Sequence, residues 1–303
     1  MSKHPWYILG AGSIGCLWAA SLSNKGYPVE LILRQERLQS LQHNPVTIKY
    51  QYQEQSHEYQ VPATCSSHLQ QPMHWLILCT KAQHALSAID SVAHVLTHKT
   101  RVLLLQNGMG SQQAIAKKYP ELNLWAGSVT DGVHLKQDFS VCHAGQGITS
   151  IGPITSNSHN DDFALLMDQF PLNVEVSDNI MEKLWQKWAA NCCINGLTAL
   201  FNCRNGELLD NGPRQQQLDL LANEVGAVLQ ALGVKVPDVK TTVYDICRLT
   251  ANNLSSTCLD VRAKRSTELA YMNGFLISQA KTCHIPVINH RRLMSELETL
   301  GIY

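Results

Sequence analysis

The sequence predicts an α/β protein: a mainly parallel sheet covered by helices on both faces, followed by an all-α C-terminal domain. Over residues 1–178, short apolar runs alternate with helical stretches, and strands that alternate with helices imply parallel pairing. From residue 179 onward, apolar residues recur with a 3.6-residue period. A glycine-rich turn, moreover, stands between the first strand and the first helix.

The elements follow in order. Trp6–Leu9 (WYIL) reads as a short buried strand, 14–25 as a helix and Val29–Leu33 as the second strand, with a helical turn over 37–41. Residues 46–61 alternate Val, Ile and Tyr with polar residues at period two, which predicts an antiparallel hairpin in place of a further βα unit. The βα pattern resumes with a strand at 75–80, a helix at 84–96, a strand at 101–106 and a helix from Ser111. After Leu124 come further strand-like pieces broken by Gly and Pro, through 149–152 to Val174–Val176. Helices are predicted over 179–201, 214–232, 239–249, 266–284 and 291–300. GVKVP (233–237) and HIPV (284–287) act as stops between them. The boundary falls near 177–179, giving predicted domains of 1–178 and 179–303.

Composition narrows the function classes. The chain has 303 residues, 45% of them hydrophobic and 16% charged, enough for two cored domains. Lys+Arg and Asp+Glu stand at 24 each, so no nucleic-acid surface is expected. No apolar run reaches the length of a membrane span, and the N-terminus enters a strand directly, which makes the cytoplasm the expected compartment. The ten cysteines form no C-x-x-C pair or metal-ligand spacing, so reduced thiols and no metal site are expected.

Gly10-Ala11-Gly12-Ser13-Ile14-Gly15 follows the first strand and opens the first helix. In a GxGxxG turn the first glycine makes the tight bend, the second lets a pyrophosphate approach the backbone, and the third lets helix pack on strand. The helix N-terminus then offers N–H groups to phosphate. This is the signature of a Rossmann-like dinucleotide site. The second strand ends at Arg34, where an NAD enzyme usually carries an acidic residue for the ribose. An arginine there pairs with a 2′-phosphate, so NADP(H) is the expected cofactor. Arg37 lies near enough to assist, while Glu36 adds a contrary charge.

Two further turns follow predicted strands: Thr80-Lys81-Ala82, and Gln106-Asn107-Gly108-Met109-Gly110. Open α/β sheets bind ligands at the carboxyl ends of their strands. Lys81 is therefore a candidate for contact with cofactor or substrate, and Asn107 for fixing a nicotinamide or a substrate carboxylate. Asn-Gly is also an ordinary turn signal.

The helix EKLWQKWAANCCINGLTALFN carries Asn191, Asn195 and Thr198 at i, i+4, i+7, with Lys187 one turn earlier, and is otherwise apolar or small over most of its length. Residues four apart share a helical face. Such a line faces solvent, polar partners inside the protein, or a bound ligand.

GAGSIG, Arg34, CTKAQ, QNGMG, KWAANCCINGLTALFNCRNGEL and NNLSSTCLDVRAKRSTELAYMNGF together resemble the ketopantoate reductases, the NADPH-dependent 2-dehydropantoate 2-reductases of pantothenate synthesis. The resemblance spans about residues 8 to 276. It implies an N-terminal domain for NADPH and a helical domain for substrate. It implies a catalytic lysine at Lys187 and an acidic partner at Glu268. Substrate-binding residues fall at Asn107, Asn191, Asn195, Asn205, Asn253 and Ser256, and cofactor contacts at the glycine turn, Arg34, Lys81 and Asn107. Gly196 departs from the family, where Pro often follows this Asn.

The implied chemistry is a reduction. Hydride delivery to a 2-oxo carbon puts negative charge on the carbonyl oxygen, which Lys187 is suited to stabilise and protonate. Glu268, placed in a helix among Arg262, Lys264 and Arg265, is a candidate to bond a substrate hydroxyl or to orient Lys187. Ser256 either donates to the substrate carboxylate or caps the helix after it. Three readings remain at this point: a ketopantoate reductase, a reductase of another 2-oxo acid, and a non-catalytic NADP(H) sensor that needs neither Lys187 nor Glu268. The partner in each enzyme reading is a small 2-oxo acid; oligomeric state is not legible.

Overall fold

The computed structural model describes residues 4–158 and 172–302; residues 1–3, 159–171 and 303 of the two predicted domains lie outside that set. The chain forms two compact units, Met1–Gln106 with Ser111–Ile180, and Asn107–Gly110 with Met181–Tyr303. The short segment 107–110 thus leaves the sheet unit and joins the helical one, which helical periodicity alone does not reveal.

In the first unit, the main sheet contains β1 (Trp6–Leu9), β2 (Val29–Leu33), β5 (Ala63–Cys65), β6 (Trp75–Leu78), β7 (Arg101–Leu104), β8 (Asn123–Val129), β11 (Thr149–Pro153) and β12 (Val174–Val176). Its order is β5-β2-β1-β6-β7-β8-β11-β12. The first six strands of that order are mutually parallel, and β11 pairs antiparallel with β8. The sheet is therefore mainly parallel and Rossmann-like, as expected. Strand order reverses between β1 and β6, the position at which doubly wound sheets bind their ligands.

Alternation along each strand sends neighbours to opposite faces. Ile8, Ile77 and Leu103 join one core with Cys16, Leu17 and Ala20 of α1 (Ser13–Asn24). Leu9, Leu76, Leu78, Val102 and Leu104 join the other, with Ala85, Ile89 and Val92 of α3 (Ala82–Val92) and Ile115 of α4 (Ser111–Lys118). The short α2 (Gln35–Gln39) follows β2.

The predicted hairpin forms as β3 (Val46–Tyr52) and β4 (Gln55–Val61), paired antiparallel. It does not stand alone. It joins β9 (Gly132–Gln137) and β10 (Ser140–Gly145) in a second sheet of order β4-β3-β10-β9. Val46, Ile48, Val61 and Val141 from that sheet pack into the same core as Trp18 and Leu22. Helix α1 is thus clad by strands on both sides, which explains why Gly15 through Leu22 are all buried.

The helical unit comprises α5 (Ile180–Phe201), α6 (Pro213–Ala231), α7 (Val239–Leu249), α8 (Ser256–Arg262), α9 (Asn273–Thr282) and α10 (Ile288–Thr299). Helix α5 ends where Asn202 takes φ +48°. There the Cys203 N–H donates to Thr198 O and the Asn202 N–H to Ala199 O, the paired bonds of a left-handed helix stop. Helix α5 runs unbroken through Gly196, whose added Cβ would lie 2.9 Å from Leu293 Cδ2 of α10. Close packing against α10 thus leaves little room for a side chain at this position.

One predicted element needs correction. The expected helix over 266–284, and the placing of Glu268 within a helix, do not hold. Lys264 adopts φ +52°, and the Arg265 N–H donates to Asp260 O, closing α8 with the same stop. Glu268 instead precedes a 3₁₀ turn, Leu269–Tyr271, and α9 begins only at Asn273. Among the described residues, no helix is long and apolar enough to cross a membrane, and no group of His, Cys, Asp or Glu could hold a metal ion. All ten cysteines are unbridged.

Candidate active site

The glycine turn shows why each glycine is needed. Gly10 has φ +108°, and a Cβ there would come within 2.8 Å of Thr80 N. At Gly15 an added Cβ would meet the Gly10 carbonyl oxygen at 1.9 Å, so helix α1 starts hard against the turn. Gly12, between them, has no protein atom within 4 Å of the added Cβ. The combination is a tight bend and a close-packed helix start, with open space over the middle glycine. That shape fits a pyrophosphate lying against the backbone at the α1 N-terminus.

Arg34 follows β2 as the first residue outside α2 and is exposed; among the described residues its guanidinium makes no hydrogen bond or ion pair. Arg37 is committed elsewhere: it lies 3.5 Å from Ala11 O and 3.4 Å from Asp138, over the Phe139 ring. It braces the glycine turn against the second sheet and leaves Arg34 as the available cation. Lys81 precedes α3 and is half-buried. His84, on the first turn of α3, escapes sequence reasoning. Burial, then the charges of Arg34 and Lys81, push its imidazole below the usual range. These three residues form one electropositive cluster, and the i, i+3 spacing of Lys81 and His84 is the signal that hints at it.

Gln106 is a second residue not anticipated. Its Nε2 donates to Leu78 O at 2.7 Å, tying the ends of β6 and β7, while its buried Oε1 has no partner among the described residues.

In the helical unit, Lys187 Nζ donates to Asn107 Oδ1 at 2.8 Å. Both residues were singled out from sequence, 80 positions apart. The loop carrying Asn107 is held by sterics. Gly108 takes φ +81°, and a Cβ there would fall 2.6 Å from Tyr271 O; the neighbouring Met109 N–H donates to that same carbonyl at 2.9 Å. Gly110, at φ +102°, lies against Phe275. The 3₁₀ turn that grips the loop begins directly after Glu268, which is 8% exposed and whose carbonyl accepts from Tyr271 N–H. Lys187, Asn107 and the Glu268 segment therefore belong to one interlocked piece of structure.

The polar line on α5 divides along its length. Lys187 and Asn191 are half-buried, and among the described residues the Asn191 amide has no partner. Asn195 is buried, with Nδ2 directed to Met272 Sδ at 3.5 Å. Thr198 is fully buried, and its hydroxyl lies 2.7 Å from Ser255 Oγ. The N-terminal end of the line is thus open and the C-terminal end is satisfied by protein.

The remaining predicted residues fall in separate surroundings. Asn205 is buried; its N–H donates to Asn253 O and its Nδ2 to Thr250 Oγ1, while Oδ1 has no partner among the described residues. Asn253 itself is exposed. Ser256 is exposed and is the first residue of α8. Ser255, one residue earlier, does the capping, its Oγ accepting from Cys258 N–H. The alternative reading of Ser256 as the cap is corrected by one position.

The family described as "Ketopantoate reductase PanE/ApbA" matches residues 6–156, and its C-terminal counterpart matches residues 179–300. The 2-dehydropantoate 2-reductases of Shigella flexneri and Escherichia coli O157:H7 are each 31% identical, over 97% of this chain and 96% of theirs. The crystal structure of a PanE/ApbA family ketopantoate reductase from Ralstonia eutropha JMP134 superimposes with a TM-score of 0.86 at 26% identity, covering 97% of both chains. A D-mandelate dehydrogenase solved with NADH and anilino(oxo)acetate shares the fold, with a TM-score of 0.87 at 22% identity over 97% of both chains. With a family match on each side of the boundary and full-length relatives above 30% identity, the chain belongs to the ketopantoate reductase family.

Proposed function

We propose that this protein reduces 2-dehydropantoate (ketopantoate) to pantoate with NADPH, as a step of pantothenate synthesis in the cytoplasm. The observation that carries the reading is the 2.8 Å bond from Lys187 Nζ to Asn107 Oδ1, in a chain that carries the dinucleotide turn and belongs to this family.

NADPH, when bound, supplies the hydride. The chain's own contribution begins at Gly10–Gly15, where the shape of the turn suits the pyrophosphate, and at Arg34, whose uncommitted guanidinium suits a 2′-phosphate. Lys81 adds positive charge beside Arg34, and burial and the two charges hold the neighbouring His84 toward its neutral form. As the substrate carbonyl gains electrons, its oxygen becomes an alkoxide that needs a nearby positive charge and then a proton. Lys187 holds that proton at Nζ. Asn107, accepting one Nζ hydrogen, fixes the direction of the ammonium. Asn191, one turn along the same face, offers its unpartnered amide to the substrate.

Glu268 is the candidate partner for the substrate hydroxyl or for Lys187. Asn195, Asn205, Asn253 and Ser256 are proposed as substrate residues on the family resemblance; the buried contacts of Asn195 and Asn205 equally suit shaping the protein around the site.

The test is NADPH oxidation by purified protein with ketopantoate, against NADH and against other 2-oxo acids. The reading expects turnover with ketopantoate and a preference for NADPH. Turnover with a different 2-oxo acid alone would move the substrate assignment. NADPH binding without turnover on any of them would support a sensor.

A further inference from the structure

Residues 107–110 are Asn-Gly-Met-Gly, and the chain leaves the first unit at Gln106 and rejoins it at Ser111. Two of the four are glycines, with φ of +81° and +102°. Glycine's conformational freedom gives such a segment little stiffness of its own, so contacts must fix where Asn107 points. At the tip, the Met109 N–H donates to Tyr271 O and Gly110 lies against Phe275. The contacts at the base centre on Gln106.

Gln106 is 4% exposed. Its Nε2 carries two hydrogens, and two backbone carbonyls stand within reach, Leu78 O at 2.7 Å and Thr80 O at 3.4 Å. Leu78 closes β6, and Thr80 directly precedes Lys81. The main-chain carbonyl of Gln106 accepts from Gln112 Nε2 at 3.2 Å, and the Ser111 hydroxyl donates to Gln112 Oε1 at 3.1 Å. Ser111 and Gln112 are both buried. A buried clasp thus joins the residue where the segment departs to the residues where it returns, and fastens them to the end of β6.

Strand pairing alone does not call for this clasp. The β6–β7 ladder ends at Leu78 and Leu104, and the Leu105 N–H donates to Leu78 O at 3.1 Å. Gln106 brings a second donor to a carbonyl that already has one, while its own Oε1 is buried with no partner among the described residues. A buried amide oxygen left unpaired opposes folding. As a tie between strand ends, the side chain therefore gains little. What it does fix is the course of the chain as it leaves β7, and the next residue is Asn107, whose Oδ1 accepts from Lys187 Nζ at 2.8 Å.

We propose that Gln106 is a positioning residue for the reduction: it anchors the base of the 107–110 segment and, through Asn107, aims Lys187 Nζ. The inference rests on the reductase reading of Lys187.

The test compares wild type, Gln106→Met, Asn107→Ala and the double variant. Methionine keeps the length of the side chain and loses both of its hydrogen bonds. The expected result is a fall in kcat with ketopantoate of at least about tenfold, with NADPH affinity within about threefold and unchanged melting. Adding Gln106→Met to Asn107→Ala should lower kcat no further, because the effect passes through Asn107. In the cofactor-free protein, amide hydrogen exchange over 107–110 should rise at least about fivefold. Should Gln106→Met fold poorly, Gln112→Met loosens the same base from its other side and decides the matter by the same cycle. A kcat within about threefold of wild type overturns the inference. So does a full further loss in the Asn107→Ala background, a loss of kcat matched by loss of NADPH binding, or unchanged exchange over 107–110. Wild type that binds NADPH and turns over no 2-oxo acid defeats the reductase reading and this inference with it, whereas an active wild type beside an equally active variant defeats this inference alone.

Discussion

The glycine turn of residues 10–15 and the polar line of α5 reach their form by opposite means. At the turn the decisive atoms are backbone. Gly15 tolerates no Cβ because the Gly10 carbonyl is where it would be, and Gly12 leaves its surroundings open. On α5 the decisive atoms are side chains, and position settles what each one does. Lys187 bonds Asn107 in a neighbouring loop, whereas Thr198, three turns later on the same line, is buried against Ser255. A backbone-built site carries its geometry in its residue types. A side-chain site depends on what the rest of the fold brings to it.

Substitutions can break this contrast, the largest effect first. Gly15→Val puts a branched side chain into a carbonyl that cannot move, so NADPH affinity should fall by at least about a thousandfold, about 4 kcal/mol. Fluorescence titration checks this, and near-wild-type binding would show that the turn has slack. Arg34→Ser should weaken NADPH about 10- to 100-fold and leave NADH unchanged, the loss of one charge-assisted contact. Equal losses for both cofactors would mean that Arg34 acts on something other than the 2′-phosphate.

The two ends of the polar line should separate in kind. Asn191→Ala should lower kcat/KM about tenfold, roughly 1.4 kcal/mol, with unchanged melting. Thr198→Val should instead cost about 1–2 kcal/mol of stability and leave kcat intact. If both variants altered catalysis alike, the division between an open and a satisfied end would be wrong.

The smallest effect is a pH dependence in the helical unit. Glu224 accepts from the backbone and ring of the fully buried His290. Burial pushes the His290 imidazole below its usual range, against the opposing pull of Glu224. An unfolded histidine takes up its proton near pH 6.5 while the folded one resists, so stability falls as pH drops through that value. Lowering pH from about 7.5 to 5.5 should remove about 1 kcal/mol, less in His290→Gln, by urea denaturation.

The same contrast governs what the sequence disclosed. Strand–helix alternation, the hairpin at 46–61 and the glycine turn are local patterns, and each was readable. The second sheet was not, because β3 finds its partner β10 some 90 positions away, and nothing in either segment names the other. The break after α8 was missed because Lys264 takes a left-handed conformation that its identity does not advertise. Ser255 and Ser256 are adjacent and chemically the same, and only the geometry assigns the cap to Ser255.

In the proposed reduction, Lys187, directed by Asn107, supplies the proton and the charge. The most direct measurement compares single-turnover reduction of ketopantoate by wild type and Lys187→Ala, with NADPH binding measured in parallel. A fall in rate of about a hundred- to ten-thousandfold, with NADPH affinity retained, is the predicted result. A rate within a few-fold of wild type would contradict the account and require the proton to come from another group.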